Sequence, residues 1–118
     1  MTRAESDRLR DIIEAMDKAE NSVGGLTFDV FEGVDTLVAA LCHYALVVSE
    51  ASRHISEERK IAFPDVVWRA IADTGNFIRH VYFKISAARL WNIYEKEFPK
   101  LRPVVEQMIR ESSSEEDE

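Results

Sequence analysis

The sequence predicts an all-α fold, an antiparallel bundle of four or five helices joined by short connections. Apolar residues recur at steps of three and four through most of the chain, and no stretch shows the alternation of a half-buried strand. Neither an internal repeat nor a Gly-rich phosphate loop breaks the pattern. With 118 residues, 46% hydrophobic and 31% charged, the chain has material for one core rather than two.

Thr2 and Glu5 stand at capping-box spacing, and Leu9, Ile12, Ile13 and Met16 follow as one apolar stripe, so the first helix is expected to run to about Asn21. Gly24 and Gly25 favour a turn, after which Thr27 can cap a short segment carrying Phe28 and Phe31. The next helix is expected to be the longest. From Val34, the positions Leu37, Val38, Leu41, Ala45, Val48 and Ile55 hold register as far as the charged exit Glu57–Lys60. Leu46 and Val47 widen its apolar arc, which suggests two neighbours or a second protomer.

Pro64 and Asp65 suit the start of a helix whose buried face is marked by Val67, Ile71, Ile78 and Val81. Gly75 interrupts that helix at a cost of about 1 kcal/mol relative to alanine, which calls for a packing or functional reason. Ser86 can cap a further helix through Ala87, Leu90, Trp91, Tyr94 and Phe98, with Pro99 bending or ending it. Leu101, Val104, Val105 and Met108 form a last stripe. The expected organisation is a helical domain over residues 1–111 and a disordered acidic tail over 112–118, where Ser and acids have nothing to bury.

The single cysteine, Cys42, cannot form an intramolecular disulfide, and its neighbour His43 lies too near in sequence for a zinc-type spacing, so no metal or cofactor is expected. The charged stretch Met1–Arg10 lacks a signal-like apolar core, and no apolar run is long enough to span a bilayer. A cytoplasmic location without membrane contact is the expectation. The net charge is −7, but five of the 22 acids (Glu111, Glu115, Glu116, Asp117, Glu118) crowd the last eight residues, leaving 15 bases against 17 acids elsewhere. Between Val66 and Arg89 the balance reverses, with Arg69, Arg79, Lys84 and Arg89 against Asp73 alone, so a phosphate-bearing ligand is tolerated there.

Within PDVVWRAIADTGNFIRHVYFKISAARLW (Pro64 to Trp91), the residues Pro64, Trp68-Arg69, Ile71-Ala72, Asn76, His80, Tyr82-Phe83 and Trp91 are ordered and spaced in a recognisable way. Ser49-Glu50-Ala51 precedes them on the long helix, and Asp11-Ile12-Ile13-Glu14 stands near the start. In these features the chain resembles the HepT-like branch of the HEPN superfamily. The resemblance implies a HEPN-like bundle that forms a homodimer with a shared cleft. It further implies a metal-independent endoribonuclease that acts on RNA as the toxin of a toxin–antitoxin pair, neutralised by a cognate MntA-type nucleotidyltransferase antitoxin. The family motif is Arg, four residues, His, one residue, Tyr. His80 and Tyr82 occupy its last two positions, and the arginine position holds Gly75. By the same resemblance, Tyr82 is a candidate acceptor of AMP from the nucleotidyltransferase.

Cleaving RNA without a metal requires a base for the ribose hydroxyl, an acid for the leaving oxygen and a cation for the phosphate. Two His80 side chains in a symmetric cleft can share the proton transfers, while Arg79 or Arg69 can stand in for the arginine absent at position 75. Arg79 lies about 100° round the helix from His80, so this substitution calls for an unwound helix end or a cation from the partner. Asn76, one turn before His80, either orients the imidazole and binds phosphate or caps backbone where Gly75 disturbs the helix. Glu50 falls among apolar residues and either pairs with Arg69, Arg79 or His80 across the bundle or lies on the surface. Tyr82 is a ligand contact, an AMP acceptor or a half-buried aromatic. The candidate site is therefore His80, Asn76 and Arg79 for catalysis, Arg69, Glu50 and Lys84 for RNA or nucleotide binding, and Tyr82 for modification. His43 and His54 are read as surface or core residues, and Trp68 and Trp91 as core anchors. A degenerate HEPN module that binds nucleotide or scaffolds a nucleotidyltransferase, and a helical interaction protein without a small ligand, are the alternatives.

Overall fold

The computed structural model describes residues 3–81 and 85–116, and every regular element among them is helical. In chain order these are α1 (Arg3–Val23), α2 (Phe28–Glu32), α3 (Asp35–Ser52), α4 (Glu57–Ile61), α5 (Trp68–Val81), α6 (Ala87–Asn92), a π-helical turn (Ile93–Glu97) and α7 (Phe98–Glu116). Because α6, the π turn and α7 follow without a break, the bundle consists of four rods and two single-turn helices.

On α1 the buried stripe is Leu9, Ile12, Ala15, Met16, Ala19 and Val23, with Ile13 only partly covered. The helix continues past Asn21 to Val23. It stops where Gly25 adopts φ +82°, a left-handed conformation that costs glycine nothing, and Leu26 N–H closes on the Val23 carbonyl at 3.1 Å. Thr27 caps α2 as expected, accepting from Val30 N–H at 3.3 Å. That cap delivers the buried Phe31 to Trp91 of α6, ring centroids 5.0 Å apart, while Trp91 also meets Tyr94 at 5.3 Å.

The central helix is α3, which packs against α1, α2, α5, α6 and the π turn. Elements from along the same chain therefore meet its wide apolar arc. At 18 residues it is shorter than α1, at 21, and α7, at 19, so it is not the longest helix. It ends at Ser52 rather than running to the charged exit. Ile55 is buried in the connection, and Ser56 opens the separate helix α4 by accepting from Arg59 N–H at 3.3 Å. Glu5 of α1 supports this break, accepting from Ser56 N–H at 2.9 Å and lying 3.8 Å from the Arg59 guanidinium.

Pro64 and Asp65 form a turn rather than a helix start, closed by Val66 N–H on the Phe63 carbonyl at 3.2 Å. Helix α5 begins at Trp68, whose indole N–H reaches the carbonyls of Lys60 and Phe63 at 3.2 and 3.3 Å. Val67, expected on the buried face, is consequently outside the helix and 67% exposed. At the other end, Pro99 does not stop the chain's helix. The preceding π turn, in which Phe98 N–H bonds the Ile93 carbonyl five residues back, spreads the carbonyls that the proline ring would meet. Pro99 and Pro103 both lie on the exposed side, where carbonyls they leave unpaired can be solvated. Helix α7 then runs through Glu116, and Ser112, assigned to the tail on composition, is buried.

Candidate functional site

The site-bearing residues converge where the C-terminal end of α3 crosses the middle of α5. The crossing is close because α5 presents Gly75 to α3. The Ser49 hydroxyl, 1% exposed, accepts from Gly75 N–H at 3.0 Å and donates to the Ala72 carbonyl at 3.3 Å. A Cβ at position 75 would lie 2.2 Å from Ser49 Oγ and 2.9 Å from Ser49 Cβ. The glycine is thus a contact residue between two helices, and this accounts for its cost within α5.

The close approach brings four polar side chains together on the adjacent surface. Arg79 bonds the Glu50 carboxylate through one terminal nitrogen and Asn76 Oδ1 through the other. Arg53, at the C-cap of α3, donates to the same Asn76 oxygen at 2.7 Å and to the Ala72 carbonyl at 3.1 Å, with its Nε 3.8 Å from Glu50. The side chains of Glu50, Arg53 and Arg79 are all 36–41% exposed, so the cluster is reached by solvent. Two guanidiniums face one carboxylate, which leaves one excess positive charge. Both arginines lie at helix C-terminal ends, where the peptide dipoles favour cations.

The structure therefore selects among the sequence alternatives. Glu50 pairs with Arg79 and Arg53, not with Arg69 or His80. Arg69 is 93% exposed beside Asp73 at 3.9 Å and stands roughly 15 Å along the helix from Arg79, so it does not join the cluster. Asn76 turns its carbonyl oxygen to the two arginines. Arg79 reaches the cluster without unwinding of the helix, since positions 72, 75, 76 and 79 share the edge of α5 beside α3. His80 follows Arg79 on the exposed side and makes no hydrogen bond or ion pair among the described residues. Tyr82 and Lys84 lie outside the described residues. His43 and His54 are exposed, His43 with its ring edge to Tyr44. No described group of three or more His, Cys, Asp or Glu is placed to hold a metal ion, and no described helix is long and apolar enough to cross a membrane.

Sequence reasoning missed Arg53. Its spacing of three from Glu50 was a signal for an intrahelical pair, but only the crossing of α3 and α5 brings it to Asn76.

The profile of the family described as Ribonuclease HepT-like matches residues 12–108, most of the chain and all of this crossing. The chain belongs to the ribonuclease HepT-like family. Among curated relatives, this HepT-like chain is 27% identical over 108 residues to the "Probable ribonuclease HepT" of Thermococcus cleftensis, covering 92% of this chain and 98% of that one. It is 28% identical over 98 residues to the "Putative RNase MJ1380" of Methanocaldococcus jannaschii, covering 83% and 90% respectively. No solved structure matches the chain at a significant level.

Proposed function

We propose that this HepT-like protein is a metal-independent endoribonuclease that acts as a homodimer in the cytoplasm. The observation that carries the reading is His80, exposed at the end of α5 one turn beyond Asn76, on which the Arg53 and Arg79 guanidiniums converge, in a chain of this family. One imidazole takes the proton of the ribose 2′-hydroxyl as its oxygen attacks phosphorus. An imidazolium, that of His80 in the second copy, protonates the departing 5′ oxygen. The P–O5′ bond breaks as the P–O2′ bond forms, which gives a cyclic phosphate and a free 5′ hydroxyl. Phe77, 43% exposed on the same outward side of α5, adds apolar surface that pairing of two copies would cover. In this reading the protein is the toxin of a toxin–antitoxin pair, and an MntA-type nucleotidyltransferase antitoxin neutralises it by transferring AMP from ATP to the Tyr82 hydroxyl, with release of pyrophosphate.

The test is cleavage of a mixed RNA substrate in the presence of chelator, comparing wild type with His80→Ala. Cleavage by the wild type and its loss in the variant is the expected result. Equal cleavage by both would remove His80 from the chemistry. A folded dimer that cleaves nothing would replace the nuclease reading with that of a nucleotide-binding or scaffolding module, and light scattering that shows only monomer would remove the shared cleft.

A further inference from the structure

We propose that Arg53 and Arg79 together form the phosphate clamp of this protein, gripping one phosphodiester of single-stranded RNA beside His80. This inference rests on the ribonuclease reading and specifies how its substrate is held. Position 75, where the family motif carries arginine, cannot hold a long side chain without forcing α5 off α3, since its Cβ would already overlap Ser49. The cation must therefore come from elsewhere, and two guanidiniums converge one turn further along.

Arg53 from α3 and Arg79 from α5 donate to a single oxygen, Asn76 Oδ1, so the two forks meet within the span of one anion. Glu50 lies against both guanidiniums and holds them together against their mutual repulsion. A guanidinium has five N–H donors in a fixed plane, and the contacts with Glu50, Asn76 and Ala72 use only part of the ten. The remainder are free to reach phosphate oxygens at a half-exposed surface, which is the planar recognition at which arginine excels. His80 lies one turn beyond Asn76 on the same side of α5, so a phosphate gripped where the two arginines meet at the Asn76 oxygen would sit on the imidazole's side of the helix.

The experiment measures binding of a labelled single-stranded RNA to His80→Ala protein by fluorescence anisotropy across a salt series. Arg53→Gln and Arg79→Gln are added singly and together, and Arg53→Lys and Arg102→Gln serve as comparisons. Each Gln substitution should weaken binding by about tenfold and lower the salt slope in part, and the double variant should lower it by about 0.7, the share of one phosphate. The double variant should lose less than the product of the two, because both side chains hold one phosphate. Arg53→Lys should keep most of the slope. Arg102→Gln, a charge removed from α7 where it pairs with Asp17, should leave the slope unchanged. Circular dichroism melts check that each variant is folded.

Unchanged affinity and slope in Arg53→Gln and Arg79→Gln would overturn the clamp. If wild-type protein still cleaved RNA in a His80-dependent way, the ribonuclease reading would survive that failure. RNA binding with the expected arginine dependence but no cleavage would uphold the clamp without the nuclease. Absence of both binding and cleavage would overturn both.

Discussion

Replacing Gly75 by alanine sets two opposing effects against each other, and the structure determines which prevails. In an open helix interior the change stabilises by about 1 kcal/mol, because alanine has less backbone freedom to lose on folding. Here the new methyl would stand 2.2 Å from Ser49 Oγ and 2.9 Å from Ser49 Cβ. Rotating the hydroxyl away relieves only the first clash and leaves a buried polar group without its partners at Gly75 and Ala72, a cost of about 1–3 kcal/mol. Relieving the second requires α5 to move away from α3, in the range of about 1–3 kcal/mol for overpacking. Set against the propensity gain of about 1 kcal/mol, the net expectation is a loss of roughly 1–5 kcal/mol. At about 4 °C per kcal/mol for a chain of this size, Tm falls by roughly 4–20 °C. Urea denaturation and thermal melts followed by circular dichroism measure it directly. A variant more stable than wild type by about 1 kcal/mol would refute the close-approach argument. Ser49→Gly supplies the control: it opens the space, so in that background Gly75→Ala should cost far less. Gly75→Arg carries the same Cβ and should lose at least as much as alanine, so it is not a simple restoration of the family motif.

The buried Glu5 carboxylate joins α1 to the start of α4 through Ser56 N–H and the Arg59 guanidinium, so Glu5→Ala should destabilise by about 2 kcal/mol, seen as a lower urea midpoint with an unchanged m-value. Tyr94 has its pKa pushed from 10 up to about 12, mainly by burial and then by its hydrogen bond to Glu20. A folded-state pKa above the unfolded one means that the proton is held more tightly in the folded protein. The resulting stabilisation is present in full below pH 10 and is lost as pH rises toward 12. Wild type should therefore lose more stability over that alkaline window than Tyr94→Phe does, and parallel decline of the two in denaturant titrations would argue against the shift.

Much of the architecture is written in local sequence. The spacing of Leu9, Ile12 and Met16, the Thr27 and Ser86 caps and the Gly24–Gly25 turn each act within a few residues, so one-dimensional reading finds them. His80, Asn76, Arg79 and Glu50 were also legible as candidates, because the order of residues from Ser49 to Trp91 resembles a known family. The elements that sequence misplaced depend on contacts between distant segments. Apolar periodicity from Val34 to Ile55 cannot show that Ser56 and Glu5 would divide a helix at Ser52. A lone proline signal at position 99 cannot show that a π turn precedes it.

The site divides along the same line. Sequence determined which charged groups are present and that Gly75 stands where an arginine is expected in the motif. Tertiary structure alone decided that Gly75 is the point where α5 touches Ser49 of α3, that Arg69 remains outside with Asp73, and that Arg53 meets Arg79 on one amide oxygen. The physical reason is that helix periodicity is fixed by the backbone's own geometry. The distance between residues 53 and 76, by contrast, is fixed by how closely two helices can approach, which here depends on the absence of a single Cβ.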